Sequence, residues 1–490
     1  MSISQPTRRP RPARTDAKRR PAASKARTAD TGARPPRTRF GLWLQRPLAS
    51  FHLVVTIATL LTVLGLVMVL SASGVESYAD GDSAYAMFTQ QALFAAIGAA
   101  LFYVALRLPI RTLRKLSFPA FVISVCALVL VLIPGIGIEV QGGRRWFEVG
   151  GISVQPSEIT KVTLAVWGAH LLASRRPEHA TLKDITVPLV PAGVIVCFLV
   201  VLQPNLSTTI ALGIILAALL WFGGMPVRIF GAIMASGALA AVVLAMSAGY
   251  RSARIQAFMN PGADPQGIGY QARQATYSLA DGGIFGRGLG QSRAKWSYLP
   301  NSHNDFIFAI IGEELGFIGC AVVIGLFALF AYTGIRIAMR SVDPFIKLLA
   351  ATATTWIVAQ AFINIGYVIG LMPVTGLQLP LVSAGGSSLA ITLLMFGIIA
   401  NAARHEPEAI AALRAGQDGR VSRTLRLPAP EPYSPEKAKA ARVDAARRAA
   451  VRAEREQRAR AEESHGRRTM YPRDTRRQVP HPRGERGFGR

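Results

Sequence analysis

Three carboxylates, Asp305, Glu313 and Glu314, stand at the head of a long apolar run in LPNSHNDFIFAIIGEELGF, residues 299–317. Charge inside an apolar span is costly unless it is paired or functional, so these side chains are candidates for chemistry. Ser302 precedes Asp305 by three positions, the spacing of a helix N-cap and a carboxylate at N3. A general base has use for the same place. The helix N-terminus favours the anion, while a partly dry membrane surface draws the pKa up from about 3.9. The two roles are compatible. At about 100° per residue, Glu313 comes within roughly 80° of Asp305 and could line the same cavity. Glu314 faces the opposite way, which suits a structural bond to a neighbouring helix.

A second constellation lies in GGRRWFEVGGISVQPSEITK, residues 142–161. Glu158 and Lys161 are three apart, share a helix face and can pair, either as a structural ion pair at the membrane boundary or as part of a site. Arg144, Arg145 and Trp146 could grip a phosphate beneath an aromatic face, with snorkelling at the interface as the competing role. A third feature is the connection 249–305, far longer than bundles ordinarily use. It carries Arg251, Arg254, Arg273, Arg287, Arg293 and Lys295 against Asp264, Asp281 and Asp305. That basic excess suits an anionic ligand. Two motifs mislead. Asp80-Gly81-Asp82 imitates a metal-binding DxD but reads as a turn, and the glycines of GGIFGRGLG, residues 282–290, follow no βαβ strand, which excludes a dinucleotide fold and leaves close chain packing.

The elements that must position these residues are apolar helices. The 490 residues are 51% hydrophobic and only 17% charged, too apolar for an ordinary soluble protein. The apolar residues fall into ten blocks near 50–72, 87–106, 117–134, 158–174, 185–203, 206–223, 228–248, 306–333, 345–370 and 385–403. Each has about the 20 residues that span a bilayer, and open strands would leave backbone groups unpaired in lipid. The expected fold is all-α, a polytopic bundle of about ten transmembrane helices, residues 47–403, with 249–305 as a large extracytoplasmic loop between helices 7 and 8. The first block is too long for a cleaved signal peptide.

Positive residues follow even-numbered blocks: Arg107, Arg111, Arg114 and Lys115, then Arg175, Arg176 and Lys183, then Arg336 and Arg340. By the positive-inside tendency both termini are cytoplasmic. Most of the net charge of +27 sits in the tails, with 13 Lys and Arg against 2 acidic residues in 1–46 and 22 against 12 in 404–490. Neither tail holds enough large apolar residues to fold alone. They read as basic, mostly disordered arms near anionic headgroups or docked partners, with no aromatic or motif support for nucleic acid. The three cysteines, Cys126, Cys197 and Cys320, lie in apolar blocks and suggest no disulfide framework. No Cys/His cluster has metal-ligand spacing.

The order and places of GGRRWFEVGGISVQPSEITK, QPNLSTT (203–209), GYQARQATYSLADGGIFGRGLG (269–290), LPNSHNDFIFAIIGEELGF and PVTGLQLPLVSAGGSS (373–388) resemble those of the SEDS family of bacterial membrane glycosyltransferases. The likeness covers about residues 48–405, is nearest to the division branch with the elongation branch second, and leaves out both tails. It implies polymerisation of lipid II into peptidoglycan strands at the outer face of the cytoplasmic membrane, at the division septum, with undecaprenyl pyrophosphate leaving. The family's catalytic aspartate falls on Asp305, and a functionally important pair falls on Glu158 and Lys161. Expected substrate-binding residues are Arg144, Trp146, Glu158, Lys161, Gln203, Gln271, Arg293, Lys295, His303 and Ser387. The resemblance also implies a class B penicillin-binding protein as partner, other division proteins, and a divalent cation, Mg²⁺ or Mn²⁺, although no dedicated metal cage is visible.

Chemistry agrees with the likeness. Glycosidases use two carboxylates, one to protonate the leaving oxygen. A sugar carried on pyrophosphate already has a good leaving group, so one base can suffice. The sequence departs from the family in QPNLSTT, where Asn205 replaces a carboxylate and Ser207 a glycine, and in LPLVSAGGSS, where Leu381 and Ala384 replace aromatics. A lipid II flippase or a non-enzymatic division scaffold are the rival classes; the first would use broken helices such as the one at Gln203-Pro204, the second would explain the tails but not Asp305.

Overall fold

The computed structural model describes residues 46–79, 81, 83–140, 142–175, 182–247, 258–259, 268–292, 303–417 and 423–436, with residues 42 and 44 and parts of 440–458. The chain divides into two units, Met1–Arg46 and Pro47–Arg490, and nearly all of the first falls outside the described residues. So do Arg293, Lys295, Ser302 and both aspartates of the DxD motif.

Each of the ten apolar blocks falls on a helix. These are α1 (Ala49–Ala79), α2 (Ala86–Arg107), α3 (Ile110–Leu130), α4 (Pro156–Ala173), α5 (Leu182–Val201), α6 (Leu206–Phe222), α7 (Val227–Ser247), α9 (Ile307–Arg340), α10 (Pro344–Val368) and α11 (Ser387–Arg404). Among the described residues α1, α2, α3, α9, α10 and α11 are long and apolar enough to cross a membrane, and α5, α6 and α7 contribute shorter apolar stretches. The fold is therefore the expected helical bundle. Boundaries moved where charge ends a block. α3 begins seven residues earlier than its apolar run and takes in Arg111, Arg114 and Lys115, while α9 continues through Arg336 and Arg340. Long basic side chains reach past a helix end to water while their backbone stays helical.

Among the described residues, three further named elements lie outside the bundle. Between α3 and α4 an antiparallel meander forms, β1 (Ile138–Val140), β2 (Gly143–Val149) and β3 (Ile152–Val154). Within the long connection stands α8 (Ile268–Gly282), and after α11 comes α12 (Pro407–Arg414). Beyond α12 the tail is laid on the bundle. Tyr103 OH donates to Leu425 O at 3.3 Å, Arg404 Nη2 to Pro428 O at 2.7 Å, and Arg111 pairs with Glu431 at 2.8 Å. The folded unit thus runs past the expected boundary at residue 403. The reason is Arg404, a side chain 2% exposed whose guanidinium needs acceptors that the tail backbone supplies.

α11 packs on α2 and α1, and α10 on α9, α6 and α4, so α10 and α11 form the centre of the bundle. α9 has 34 residues, which a continuous α-helix would stretch to about 51 Å, well past a hydrocarbon core of roughly 30 Å. It is broken at Gly316, with φ 66° and ψ −165°.

Candidate functional site

Asp305 lies in a turn, residues 303–306, immediately before α9, and is half-buried. The helix starts at Ile307 with Phe306 as its N-cap and no side-chain cap bond. Asp305 is therefore outside the helix and not at N3, so the expected Ser302–Asp305 capping arrangement is corrected. The helical-wheel relation between Asp305 and Glu313 lapses with it. What the carboxylate keeps is its place at the mouth of an apolar helix.

The turn is pinned through its backbone. Ala384 N donates to His303 O at 3.0 Å. On α10, Asn364 Nδ2 lies 3.1 Å and Tyr367 OH 2.9 Å from Asp305 O. The same two groups bond Leu377 O at 2.7 and 2.9 Å, and each other at 2.6 Å. Leu377 begins the irregular segment 377–386, which α10 and α2 hold in place. Gln360 Nε2 donates to Gln378 O at 2.9 Å. Gln91 uses both ends of its amide: Nε2 donates to Ser383 O at 3.1 Å, and Oε1 accepts from Gly385 N and Gly386 N at 3.3 Å each. Irregular backbone inside a membrane bundle survives only where such partners replace water. Leu381, with φ 66°, occupies the left-handed region that costs a non-glycine residue on the order of 1–3 kcal/mol; bonds such as Leu379 N to Ser383 Oγ at 2.8 Å keep it there.

Glu158 and Lys161 form the expected pair, 2.7 Å apart at the start of α4 and 6% and 2% exposed. The ammonium also lies 5.2 Å from the centre of the Trp356 ring. Trp356 Nε1 donates to Gln360 Oε1 at 3.0 Å, and Gln360 continues to the 377–386 segment. Ser387, first residue of α11, accepts from Gln155 N at 3.3 Å, joining the start of α4 to the same segment. The pair and the Asp305 turn are thus both tied by hydrogen bonds to the 377–386 segment and the start of α11.

Arg144 stands opposite Glu139 and Trp146 opposite Ile138, across a register shift in which β2 carries one residue more than β1, so the two side chains do not share a face by simple alternation. Both are half-buried, and Arg144 is engaged with Glu139 at 3.2 Å. Gln271 is half-buried on α8, and His303 is half-buried beside Asp305. Gln203 is fully buried and donates to Leu128 O at 3.2 Å, a packing contact between α3 and the α5–α6 junction. Asn205, at the departure in QPNLSTT, caps α6 by accepting from Thr208 N at 3.1 Å, a task for which Asn is as suited as Asp.

The glycine-rich motif fills the break in α9. A regular helix would bond the amides of Phe317 and Ile318 to the carbonyls of Glu313 and Glu314. Instead Arg287 N and Gly288 N donate to Glu313 O and Glu314 O at 2.9 and 3.0 Å, while Phe317 N and Ile318 N donate to Gly283 O and Ile284 O at 2.9 and 3.3 Å. A Cβ on Gly286 would stand 2.2 Å from Glu314 O, and one on Gly316 would stand 2.3 Å from Gly286 N. Only glycines admit the approach. The side chains of Glu313 and Glu314, each 1% exposed, take part in the same join. Ser292 Oγ donates to Glu313 at 2.6 Å, and Ser71 on α1 to both oxygens of Glu314 at 2.6 and 2.8 Å. Glu314 has the neighbouring-helix bond expected of it, and Glu313 turns to the glycine loop. Arg287 is paired with Asp281 at 3.2 Å, which removes it from the basic excess of the long connection.

Among the described residues no group of three His, Cys, Asp or Glu side chains is placed to hold a metal ion.

Sequence reasoning missed Asn364, Tyr367, Gln360 and Gln91. Their signal was available: polar side chains inside apolar spans that no charge pattern explains.

A family model described as "Cell cycle protein", covering the FtsW, RodA and SpoVE proteins, matches residues 51–408. The chain is 58% identical over 414 residues to the probable peptidoglycan glycosyltransferase FtsW of Mycobacterium tuberculosis, covering 84% of this chain and 79% of the relative. It is 38% identical over 354 residues to the stage V sporulation protein E of Bacillus subtilis, covering 72% and 96%. Its backbone is similar, with a TM-score of 0.60 and 27% identity, to a chain of a peptidoglycan synthase complex that coordinates polymerization and crosslinking, covering 72% of this chain and 97% of that one. The rod shape determining protein RodA of Thermus thermophilus gives a TM-score of 0.54 at 26% identity, covering 72% and 96%. The matched span contains all but the first two residues of α1, the whole of α2 to α11 and every element that holds Asp305, and on that ground the chain belongs to the FtsW, RodA and SpoVE family of cell cycle proteins.

Proposed function

We infer that the protein is a peptidoglycan glycosyltransferase that polymerises lipid II at the outer face of the cytoplasmic membrane during septal wall synthesis, with both tails cytoplasmic. The observation that carries the reading is the setting of Asp305: a half-buried carboxylate at the mouth of α9, in a turn whose backbone is fixed from both α10 and the 377–386 segment. A base so fixed is preorganised for one proton.

In the reaction, Asp305 takes the proton from the acceptor's 4-hydroxyl as that oxygen attacks the donor's anomeric carbon. The bond from that carbon to the pyrophosphate oxygen breaks with inversion, and undecaprenyl pyrophosphate leaves with the electron pair. Arg293 and Lys295 are assigned to the departing anion, and Arg144 and Trp146 to the substrate's polar head. Reversal of Arg293 and Lys295 to Glu is expected to raise KM for lipid II about tenfold or more while membrane insertion is unchanged; unaltered kinetics would make them interface anchors. A class B penicillin-binding protein is assigned as the crosslinking partner, and the tails as contacts for other division proteins.

A lipid II flippase is the second reading, favoured by the broken α9, since discontinuous helices mark many transporters. Purified protein given labelled lipid II in detergent, with and without the class B partner, separates the two. Glycan strands support the transferase. No strands in either condition, with lipid II scrambled in proteoliposomes, would replace it with the flippase, and neither activity would leave a scaffold. Labelling of single cysteines with an impermeant reagent checks the orientation: residue 430 is expected to be protected in intact cells and the long loop accessible.

A further inference from the structure

We propose that Asn364 and Tyr367 are positioning residues for the reaction, a two-residue clamp on α10 that fixes where the Asp305 carboxylate meets the acceptor. The inference rests on the general-base reading of Asp305 and adds the residues that set its aim.

Two backbone carbonyls, Asp305 O and Leu377 O, converge on the same donors. Neither belongs to a helix, and both lie in irregular chain that an apolar bundle would otherwise leave unpaired. Asn364 Nδ2 carries two hydrogens and Tyr367 OH one. One assignment uses all three: Asn364 Nδ2 to Leu377 O at 2.7 Å, Asn364 Nδ2 to Tyr367 OH at 2.6 Å, and Tyr367 OH to Asp305 O at 2.9 Å. Asn364 is 0% and Tyr367 1% exposed. The amide and the phenol therefore pass a single chain of hydrogen bonds from the 377–386 segment to the catalytic turn.

Asn364 and Tyr367 bond Asp305 through its backbone carbonyl, which fixes the residue that carries the carboxylate. The Tyr367 ring also meets Phe306, the next residue, edge to face with centroids 5.9 Å apart. A rotation of the turn would break both contacts. Every hydrogen bond of the Asn364 amide among the described residues is made through Nδ2, the donor end.

The prediction separates positioning from stability. Misplacement of a base by about 1 Å lowers turnover on the order of 10²-fold without weakening substrate binding. Tyr367→Phe keeps the ring and loses one donor; Asn364→Leu loses both amide hydrogens. We expect kcat for lipid II polymerisation, per folded molecule, to fall about threefold to tenfold in the first and about 10²-fold in the second, with KM within about twofold of wild type. Asn364→Asp adds a signature that packing alone would not give. Its protonated carboxyl restores one donor, whereas its ionised form faces two carbonyls, so its rate relative to wild type should rise as pH falls from about 8 to about 6.

The experiment is steady-state polymerisation by the full-length chain with its class B partner, with the folded fraction read by size exclusion and Asp305→Asn run alongside. A fall in kcat at constant KM in Tyr367→Phe, with acid rescue of Asn364→Asp, supports the clamp. Wild-type kcat in Tyr367→Phe and no acid rescue, beside a dead Asp305→Asn, overturns the clamp alone. Full rate in Asp305→Asn overturns the base reading and the clamp with it.

Discussion

The ammonium of Lys161 lies 5.2 Å from the centre of the Trp356 ring while its nitrogen is 2.7 Å from the Glu158 carboxylate. A buried cation held by both a carboxylate and an aromatic face links α4 to α10. Through Gln360 that link ends on Gln378 O, in the segment that also fixes Asp305.

A chain of this kind predicts that the pair can be repaired for stability without being repaired for function. Breaking a buried pair from one side leaves an uncompensated charge and costs about 3–5 kcal/mol, so Glu158→Gln and Lys161→Met should each lower the melting temperature in detergent. The double variant is neutral, and should recover most of the lost stability. It lacks the cation over Trp356, and should polymerise lipid II at least about tenfold more slowly than wild type, given what misplaced groups cost in turnover. Wild-type turnover in the double variant would reduce the pair to a structural ion pair.

The glycine-filled break in α9 makes a prediction about stability alone. Gly316→Ala would put a Cβ 2.3 Å from Gly286 N at a backbone conformation that essentially only glycine adopts, costing about 1–3 kcal/mol before any clash. Gly325 lies farther along the same helix, where an added Cβ meets nothing within 4 Å, so Gly325→Ala should be neutral or stabilising by up to about 1 kcal/mol. Thermal unfolding of the two variants side by side checks this. Equal melting temperatures would mean that the break does not depend on Gly316.

The same glycines show how far sequence reasoning reached. Ten apolar blocks announce ten helices because burial in lipid requires long apolar runs, and Glu158 with Lys161 announces a pair because a helix brings residues three apart together. Both are local or compositional facts. The insertion of 283–288 into α9 joins segments about 30 residues apart, and a glycine motif alone does not say what it approaches. Asp305 was legible as a carboxylate in the wrong solvent, but the end of its turn was not; its distance from the helix start is set by Asn364, Tyr367 and Ala384, far away in sequence. The meander carrying Arg144 and Trp146 is too short to alternate visibly.

Acid sensitivity should be found where α11 meets α12. Burial lowers the pKa of His405 below 6.5. A depressed group contributes stability above its unfolded pKa that is lost as pH falls through its folded value. Burial raises Glu406 above 4.5, with Arg340 and Arg336 opposing, so its contribution is complete below about 4.5 and is lost as pH rises through the folded value. His405→Gln should therefore flatten the fall in melting temperature between about pH 7 and pH 5.5, the range in which an imidazole titrates, and Glu406→Gln should raise the melting temperature at pH 7.5. Parallel pH profiles for wild type and His405→Gln would contradict the assignment.

In the proposed reaction Asp305 removes the acceptor's proton. Asn at this position is close in shape to Asp and leaves the backbone carbonyl to Asn364 and Tyr367, but its amide accepts no proton. Asp305→Asn protein, purified with the proposed class B penicillin-binding protein, should insert, co-purify and bind lipid II as wild type does. Its glycan product on a gel should fall by about 10²–10⁴-fold, the worth of a general base. Full-length strands made at the wild-type rate by that variant would contradict the account.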